Sequence, residues 1–158
     1  MGEVKLARVD SRLAHGRVVE MWTKELGVKR VIIANDEVSC DDFKKKVMDL
    51  TIPEGIEVSY LMIYDVADFL KTSEEDVFLL VQNPKDLEKI SASGIKIDQI
   101  NVGIIHMSPG KKSLTEEVAV DEDDIRIFKE FLKQGSSVYL RLSPFSQKMD
   151  ITSLFNRK

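Results

Sequence analysis

Ten positions from Arg8 to Arg17 hold three arginines, an aspartate and one of the chain's two histidines, and an apolar run follows at once: RVDSRLAHGRVVEMW, residues 8–22. Lys5, Arg8, Arg12 and Arg17 stand against Asp10, a local net of +3 in a chain whose formal net charge is −4. Cationic side chains beside a helix start, whose free N–H groups carry partial positive charge, make a site for an anion. Arginine suits phosphate because its planar fork donates two parallel hydrogen bonds. A further positive charge is disfavoured in such a field, and a neutral imidazole at His15 has the free lone pair that attack on phosphorus requires. Gly16 then lets another group approach without a Cβ in the way. The chemistry these types and spacings suggest is phosphoryl binding, with His15 as a nucleophile.

Each element also has an ordinary structural explanation. A histidine at a strand end is often packed or rim-exposed, and His106 in IIHMSPG is equally ambiguous. The arginines can pair with Asp36, Glu37 or other surface acids. Neither a P-loop nor GxGxxG is present, and the two distant histidines lack metal-ligand spacing, so no metal or other cofactor is expected.

The elements that position the cluster follow from punctuation and periodicity. VKLARV, RVIIAN, IEVSYLMI, DVFLLVQ, DQINVGII and SSVYLRLS read as strands, several of them apolar throughout, as parallel strands covered on both faces must be. Between them, Leu13, Val18, Met21, Trp22 and Leu26 fall near helical spacing, with Gly27 as a stop. Ser39 can cap a helix that buries Phe43, Val47 and Leu50, and a short helix is expected around Val66 to Leu70. Asn83-Pro84 opens another helix that ends at Gly94, and KSLTEEVAV looks like a further extended piece. DEDDIRIFKEFLKQG is the strongest helix, with acids first, Ile125, Phe128, Phe131 and Leu132 on one side, and Lys133 and Gly135 last.

This alternation predicts an α/β fold, an open and mainly parallel central sheet with helices on both faces, in one domain over residues 1–158. Ligands of such sheets bind at the carboxyl ends of the strands. The loop of Asp10, Ser11, Arg12, His15 and Gly16, with Arg8 and Arg17 beside it, Asn35 and Asp36 after the second strand, Gln82-Asn83 after the fourth and Asn101-Val102-Gly103 after the fifth, is expected to gather there.

Composition narrows the function classes. Net charge −4 with no dominant basic face argues against nucleic acid as a partner. No apolar run approaches the roughly 20 residues of a membrane span, and the first residues lack a signal-peptide core, so a cytoplasmic protein is expected. Cys40 is the sole cysteine, which excludes an internal disulfide.

RVDSRLAHGRVVEMW resembles the active-site signature R-I/V-D-x-R-L/F-x-H-G-Q-V-x-x-x-W of the IIB component of the mannose/fructose/sorbose-type sugar phosphotransferase system. VIIANDEVSCDDFKK, DQINVGIIHMSPGKKSLTEEVAVDEDD and VYLRLSPFSQK resemble later blocks of that family in the same order, over nearly the whole chain. Arg17 stands where the family usually has Gln, and Phe145-Ser146 where an acid is common. The resemblance implies a phosphocarrier that accepts a phosphoryl group from a cytoplasmic IIA partner on Nδ1 of His15 and passes it to a sugar in the membrane IIC/IID permease components, with which it would associate peripherally. Arg12 would hold the phosphoryl oxygens, and Asp10 would orient the loop or the imidazole. Family members pack in more than one way, which leaves a homo-oligomer open. Two other functions fit the same anion site: a sensor of phosphosugars or phosphoproteins, and a histidine-dependent phosphatase with His106 as its second histidine.

Overall fold

The computed structural model describes residues 1–155. In chain order its elements are β1 (Val4–Asp10), α1 (Gly16–Leu26), β2 (Arg30–Ala34), α2 (Asp36–Ser39), α3 (Asp42–Asp49), β3 (Glu57–Leu61), a 3-10 turn (Ile63–Asp65), α4 (Val66–Thr72), β4 (Val77–Val81) and α5 (Pro84–Ala92). There follow β5 (Gln99–Ile104), β6 (Lys112–Ser113), β7 (Ala119–Val120), α6 (Glu122–Lys133), β8 (Ser137–Leu140), β9 (Met149–Asp150) and α7 (Ile151–Phe155).

Seven strands form one sheet in the order β3-β2-β4-β1-β5-β8-β9. The first six run parallel, and β9 closes the edge antiparallel to β8. The interior strand β4, VFLLV, is buried at every residue, because helices cover it on both sides. One layer of core joins Val66, Leu87, Phe128 and Ile151 from α4 to α7. The other joins Val19 and Trp22 of α1 with Val38 of α2, and Met48 of α3 packs against it. Alternation along β1 sends Ala7 and Val9 to the first layer and Leu6 to the second. By the same two-residue period Arg8 and Asp10 point to the α1 side.

The connections explain where a ligand can sit. From β1 the chain crosses toward β2, whereas from its neighbour β5 it crosses the other way toward β8. The loops at the carboxyl ends of these two strands therefore part, which opens a crevice at the topological switch. Helix ends are set by local chemistry. Asn83 caps α5 by accepting from the Asp86 N–H at 2.9 Å, with Pro84 in the first turn. Asp121 and Asp124 make a reciprocal capping box on α6 at 2.8 and 3.1 Å.

Several expectations need correction. The cap of α3 is Asp41, which accepts from Lys44 N–H at 3.1 Å, because Ser39 is already spent as the last residue of α2. Phe43, Val47 and Leu50 are exposed, and Met48 is the residue that α3 turns to the core. Apolar spacing over two turns fits either side of so short a helix, and lysines 44 and 45 lie half-buried on it. Leu13 precedes α1 rather than opening its stripe, and Ile127 joins Phe128 and Phe131 in the buried side of α6 while Ile125 and Leu132 are half-buried. KSLTEEVAV is not one extended piece but the two-residue strands β6 and β7, paired with each other. Asn101 and Gly103 lie inside β5, not in the loop after it.

Stability measurements should separate the two helix faces. Phe43→Ser is expected to change the unfolding free energy by no more than ~0.5 kcal/mol, whereas Phe128→Ala should cost ~3–5 kcal/mol. Urea titration followed by circular dichroism checks both, and comparable losses would put Phe43 in the core after all.

Candidate functional site

The loop after β1 is held down by backbone and side-chain bonds to its neighbours in the sheet. Ser11 N–H donates to the Ile104 carbonyl of β5 at 2.8 Å, and the Ser11 hydroxyl accepts from His106 N–H at 3.0 Å. On its other side the Ser11 carbonyl accepts from the Gln82 side chain at 3.3 Å. Gln82 in turn accepts from Asn35 at 3.2 Å, and Asn35 caps α2 through Val38 N–H at 3.0 Å. Four strand ends, β2, β4, β1 and β5, are thus stitched together. Asp36 is turned elsewhere and accepts from Ile63 N–H at 2.8 Å, which fixes the turn after β3.

Asp10 is the centre of the site and is 1% exposed. Its Oδ1 accepts from Arg12 N–H at 2.9 Å and from Arg12 Nε at 3.1 Å, and its Oδ2 accepts from Arg12 Nη2 at 3.0 Å. Oδ2 also accepts from Arg8 Nη2 at 3.1 Å and Nε at 3.3 Å. Both oxygens are taken by arginines, so Asp10 orients the loop and Arg12, not the imidazole. Arg12 is gripped side-on by a bidentate pair. With its side chain 32% exposed, Arg12 still offers Nη1 outward, without a protein partner among the described residues.

Arg8 differs from the other two arginines. It is fully buried, and its Nη1 donates to Asn101 Oδ1 at 2.7 Å and to the Arg141 carbonyl at 3.2 Å. Burial pushes its guanidinium below the ordinary arginine range, and Asp10 opposes that push. It lies under the site and cannot reach a ligand in solvent. Lys5 is also remote, at the start of β1, paired with Glu3 at 3.2 Å and near Asp76 at 3.7 Å. Arg17 is exposed in the first turn of α1 and has no carboxylate within ion-pair distance among the described residues. The acids weighed as partners for the arginines serve other groups; Glu37, for one, pairs with Lys44.

His15 occupies the N-cap of α1 with extended backbone, φ −131° and ψ 118°, and makes no side-chain cap bond. Its carbonyl accepts from Val19 N–H at 2.9 Å, while the preceding N–H groups of α1 lack helical acceptors and no acid stands in the first turn. The imidazole is exposed, next to the positive end of the helix dipole. Leu13 holds this geometry. It adopts φ 60°, a left-handed conformation costly for a side chain with a Cβ, and is retained because the side chain is 3% exposed and packed in the α1-side core. Its N–H donates to the Asp10 carbonyl at 2.9 Å. No group of three or more His, Cys, Asp or Glu side chains among the described residues is arranged to hold a metal ion.

Two contributors, Leu13 and Thr51, escape a reading of motif spacing, and a third, Gly103, does not. Leu13 looks like any apolar residue at helical spacing. Thr51 lies far along the chain, yet its carbonyl would stand 2.0 Å from a Cβ at Gly16. Gly103 did carry a signal, since a glycine inside an apolar strand marks a close approach. The group that approaches is Arg8, whose Nη2 would be 2.2 Å from a Cβ there.

Comparison with known proteins places the fold in a family. The family model described as PTS system sorbose subfamily IIB component matches residues 4–158. The sorbose-specific EIIB component of Klebsiella pneumoniae is 32% identical over 157 residues, 98% of this chain and 96% of that protein. The mannose-specific EIIAB component of Escherichia coli K12 is 34% identical over 160 residues, and here the chain spans about half of its relative, 49% of its length. The crystal structure of the IIBSor domain of the sorbose permease from K. pneumoniae superposes with a TM-score of 0.90 at 32% identity, covering 98% of this chain and 96% of that one. These matches define a phosphotransfer domain of the α/β type. The chain belongs to the sorbose subfamily of IIB components of the sugar phosphotransferase system. No helix among the described residues is long and apolar enough to cross a membrane.

Packing at Gly16 generates a test. Gly16→Ala forces its Cβ against the Thr51 carbonyl, so a loss of ~1–3 kcal/mol of stability is expected. Thermal unfolding measures it, and an unchanged midpoint would show that the segment over Gly16 yields freely.

Proposed function

We propose that His15 is the phosphoryl-carrying residue of this IIB component. In the first step the lone pair of the neutral imidazole, at Nδ1 by family resemblance, attacks phosphorus on the phosphohistidine of a IIA partner. A new N–P bond forms as the donor N–P bond breaks, and the donor imidazole keeps that electron pair. In the second step a sugar hydroxyl, held by membrane IIC/IID components, takes the phosphoryl group; the O–P bond forms, the His15 N–P bond breaks with its electron pair returning to the imidazole nitrogen, and the hydroxyl proton passes to solvent. The whole of residues 1–158 would serve as one such domain, associated with the permease at the membrane. That the E. coli relative is named EIIAB, with this chain spanning about half of it, supports a IIA donor. The relatives named for mannose and for sorbose support a sugar as acceptor.

The observation that carries this reading is an exposed, uncapped His15 at the start of α1 beside an arginine pinned by a buried carboxylate. Phosphoryl transfer passes through a loose transition state, so the protein's contribution is positioning and charge. Arg12 supplies both, and the free N–H groups of the first α1 turn add donors. A carrier also needs its histidine within reach of two successive protein surfaces, which an exposed N-cap provides.

Intact-mass spectrometry tests the proposal after incubation with phosphoramidate or with a phosphorylated IIA. One phosphoryl group is expected on the wild-type protein and none on His15→Ala, whose circular dichroism should be native. Label on His15→Ala at the wild-type level would move the site to another residue. The adduct is expected to be lost in acid and to survive in alkali, since protonation makes the phosphoramidate nitrogen a good leaving group. Acid-stable label would mean a different bond.

The arginine makes a graded test. Arg12→Gln should slow single-turnover transfer by ~10²–10³, and Arg12→Lys, which keeps the charge without the fork, should recover only part of that. Equal rates in all three proteins would make Arg12 a surface residue.

A further inference from the structure

A carboxylate directly behind the phosphoryl-binding arginine poses an electrostatic problem. Asp10 and Arg12 alone would form a neutral pair. A phosphoryl group of charge near −1.5 to −2 would gain little from such a pair, because the carboxylate repels what the guanidinium attracts. Arg8 changes that balance. It bonds the same Oδ2 at 3.1 Å through Nη2, so two guanidiniums share one carboxylate and the cluster keeps one positive charge. Only Arg12 reaches the surface with it, since Arg8 is fully buried.

The protein invests heavily in Arg8. Burying an ion costs several kcal/mol unless its donors are met. Here they are, by Asp10, by Asn101 at 2.7 Å and by the Arg141 carbonyl at 3.2 Å. The guanidinium fits only because residue 103 is glycine. An apolar side chain such as its neighbours Ala7 and Val9 would fill that layer without any of these provisions.

We propose that Arg8 is a positioning residue whose charge cancels that of Asp10, so that Arg12 meets the phosphoryl group with its full positive charge while the carboxylate still fixes its orientation. Asn101 and Gly103 of β5 are the seat of Arg8. This rests on the phosphocarrier reading above and adds what that reading leaves out: why a buried arginine lies beneath the site.

Charge balance and plain structural support differ in sign in one double variant. Arg8→Met leaves Asp10 opposite Arg12 alone, a neutral pair, and should slow loading from phosphoramidate by ~10²-fold. Arg8→Met with Asp10→Asn removes one charge of each sign and restores the single positive charge, so it should load about tenfold faster than Arg8→Met. If Arg8 were only a structural prop, the second change would add damage, and a double variant no faster than Arg8→Met overturns the proposal while the wild type still loads. Should Arg8→Met fail to fold by circular dichroism, the comparison passes to Gly103→Ala, whose Cβ displaces the Arg8 guanidinium, against Gly103→Ala with Asp10→Asn. The same order of rates is expected there, and the reverse order overturns it. A wild-type protein that takes no phosphoryl group at all removes the phosphocarrier reading, and this proposal with it.

Discussion

One carboxylate, Asp10, shared by two arginines at the end of the first strand, is the interaction on which the rest of the site depends. An unpaired buried carboxylate is costly, and removing a partner from such a pair typically costs ~3–5 kcal/mol. The surrounding structure is arranged around meeting that demand. Arg12 can reach both oxygens, and its own N–H can reach one, only if the chain turns back directly after Asp10. That turn puts Leu13 in the left-handed region, and burying its side chain in the α1-side core compensates the strain. Two residues further on stands His15, the N-cap of α1. His15, the proposed phosphoryl carrier, is therefore placed by a chain of local necessities that starts at a buried ion.

The sheet supplies the frame. Because β1 and β5 send their connections in opposite directions, the crevice at their carboxyl ends stays open, and the side-chain links from Asn35 through Gln82 to Ser11, and from Ser11 to His106, keep its rim in register. On the α1 side of β5, where an ordinary strand would add apolar side chains, Asn101 and Gly103 make room for Arg8. Rigidity here matters for transfer, since a fixed dipole or charge costs no reorganisation as the phosphoryl group moves. His15 itself lies on an exposed surface, not in a closed pocket.

Much of this was legible in the sequence because local signals and fold agree. Apolar runs such as VFLLV announced the parallel strands, Asn83-Pro84 and the acids after Asp121 announced helix starts, and RVDSRLAHG marked its loop by family resemblance. What could not be read has a common physical cause. The orientation of a short helix such as α3 depends on what lies beneath it, so Phe43, Val47 and Leu50 were expected inside and are outside. Which of several arginines faces solvent depends on pairing across strands: Arg8 and Arg12 look alike in sequence, yet Asn101 and Gly103, more than ninety residues away, bury one and leave the other exposed. The structural alternative of pairing the arginines with Asp36, Glu37 or other surface acids does not hold for Arg8 and Arg12, because backbone geometry gives that place to Asp10, two residues from each.

Nitrogen-15 spectra of the arginine side chains, recorded before and after loading the protein with phosphoramidate, bear most directly on the claim that Arg12, and not the buried Arg8, faces a phosphoryl group on His15. Loading should shift the Arg12 guanidinium resonances and slow their exchange with water, while those of the buried Arg8 stay in place on Asp10. Arg12 resonances that do not move at full occupancy would contradict it.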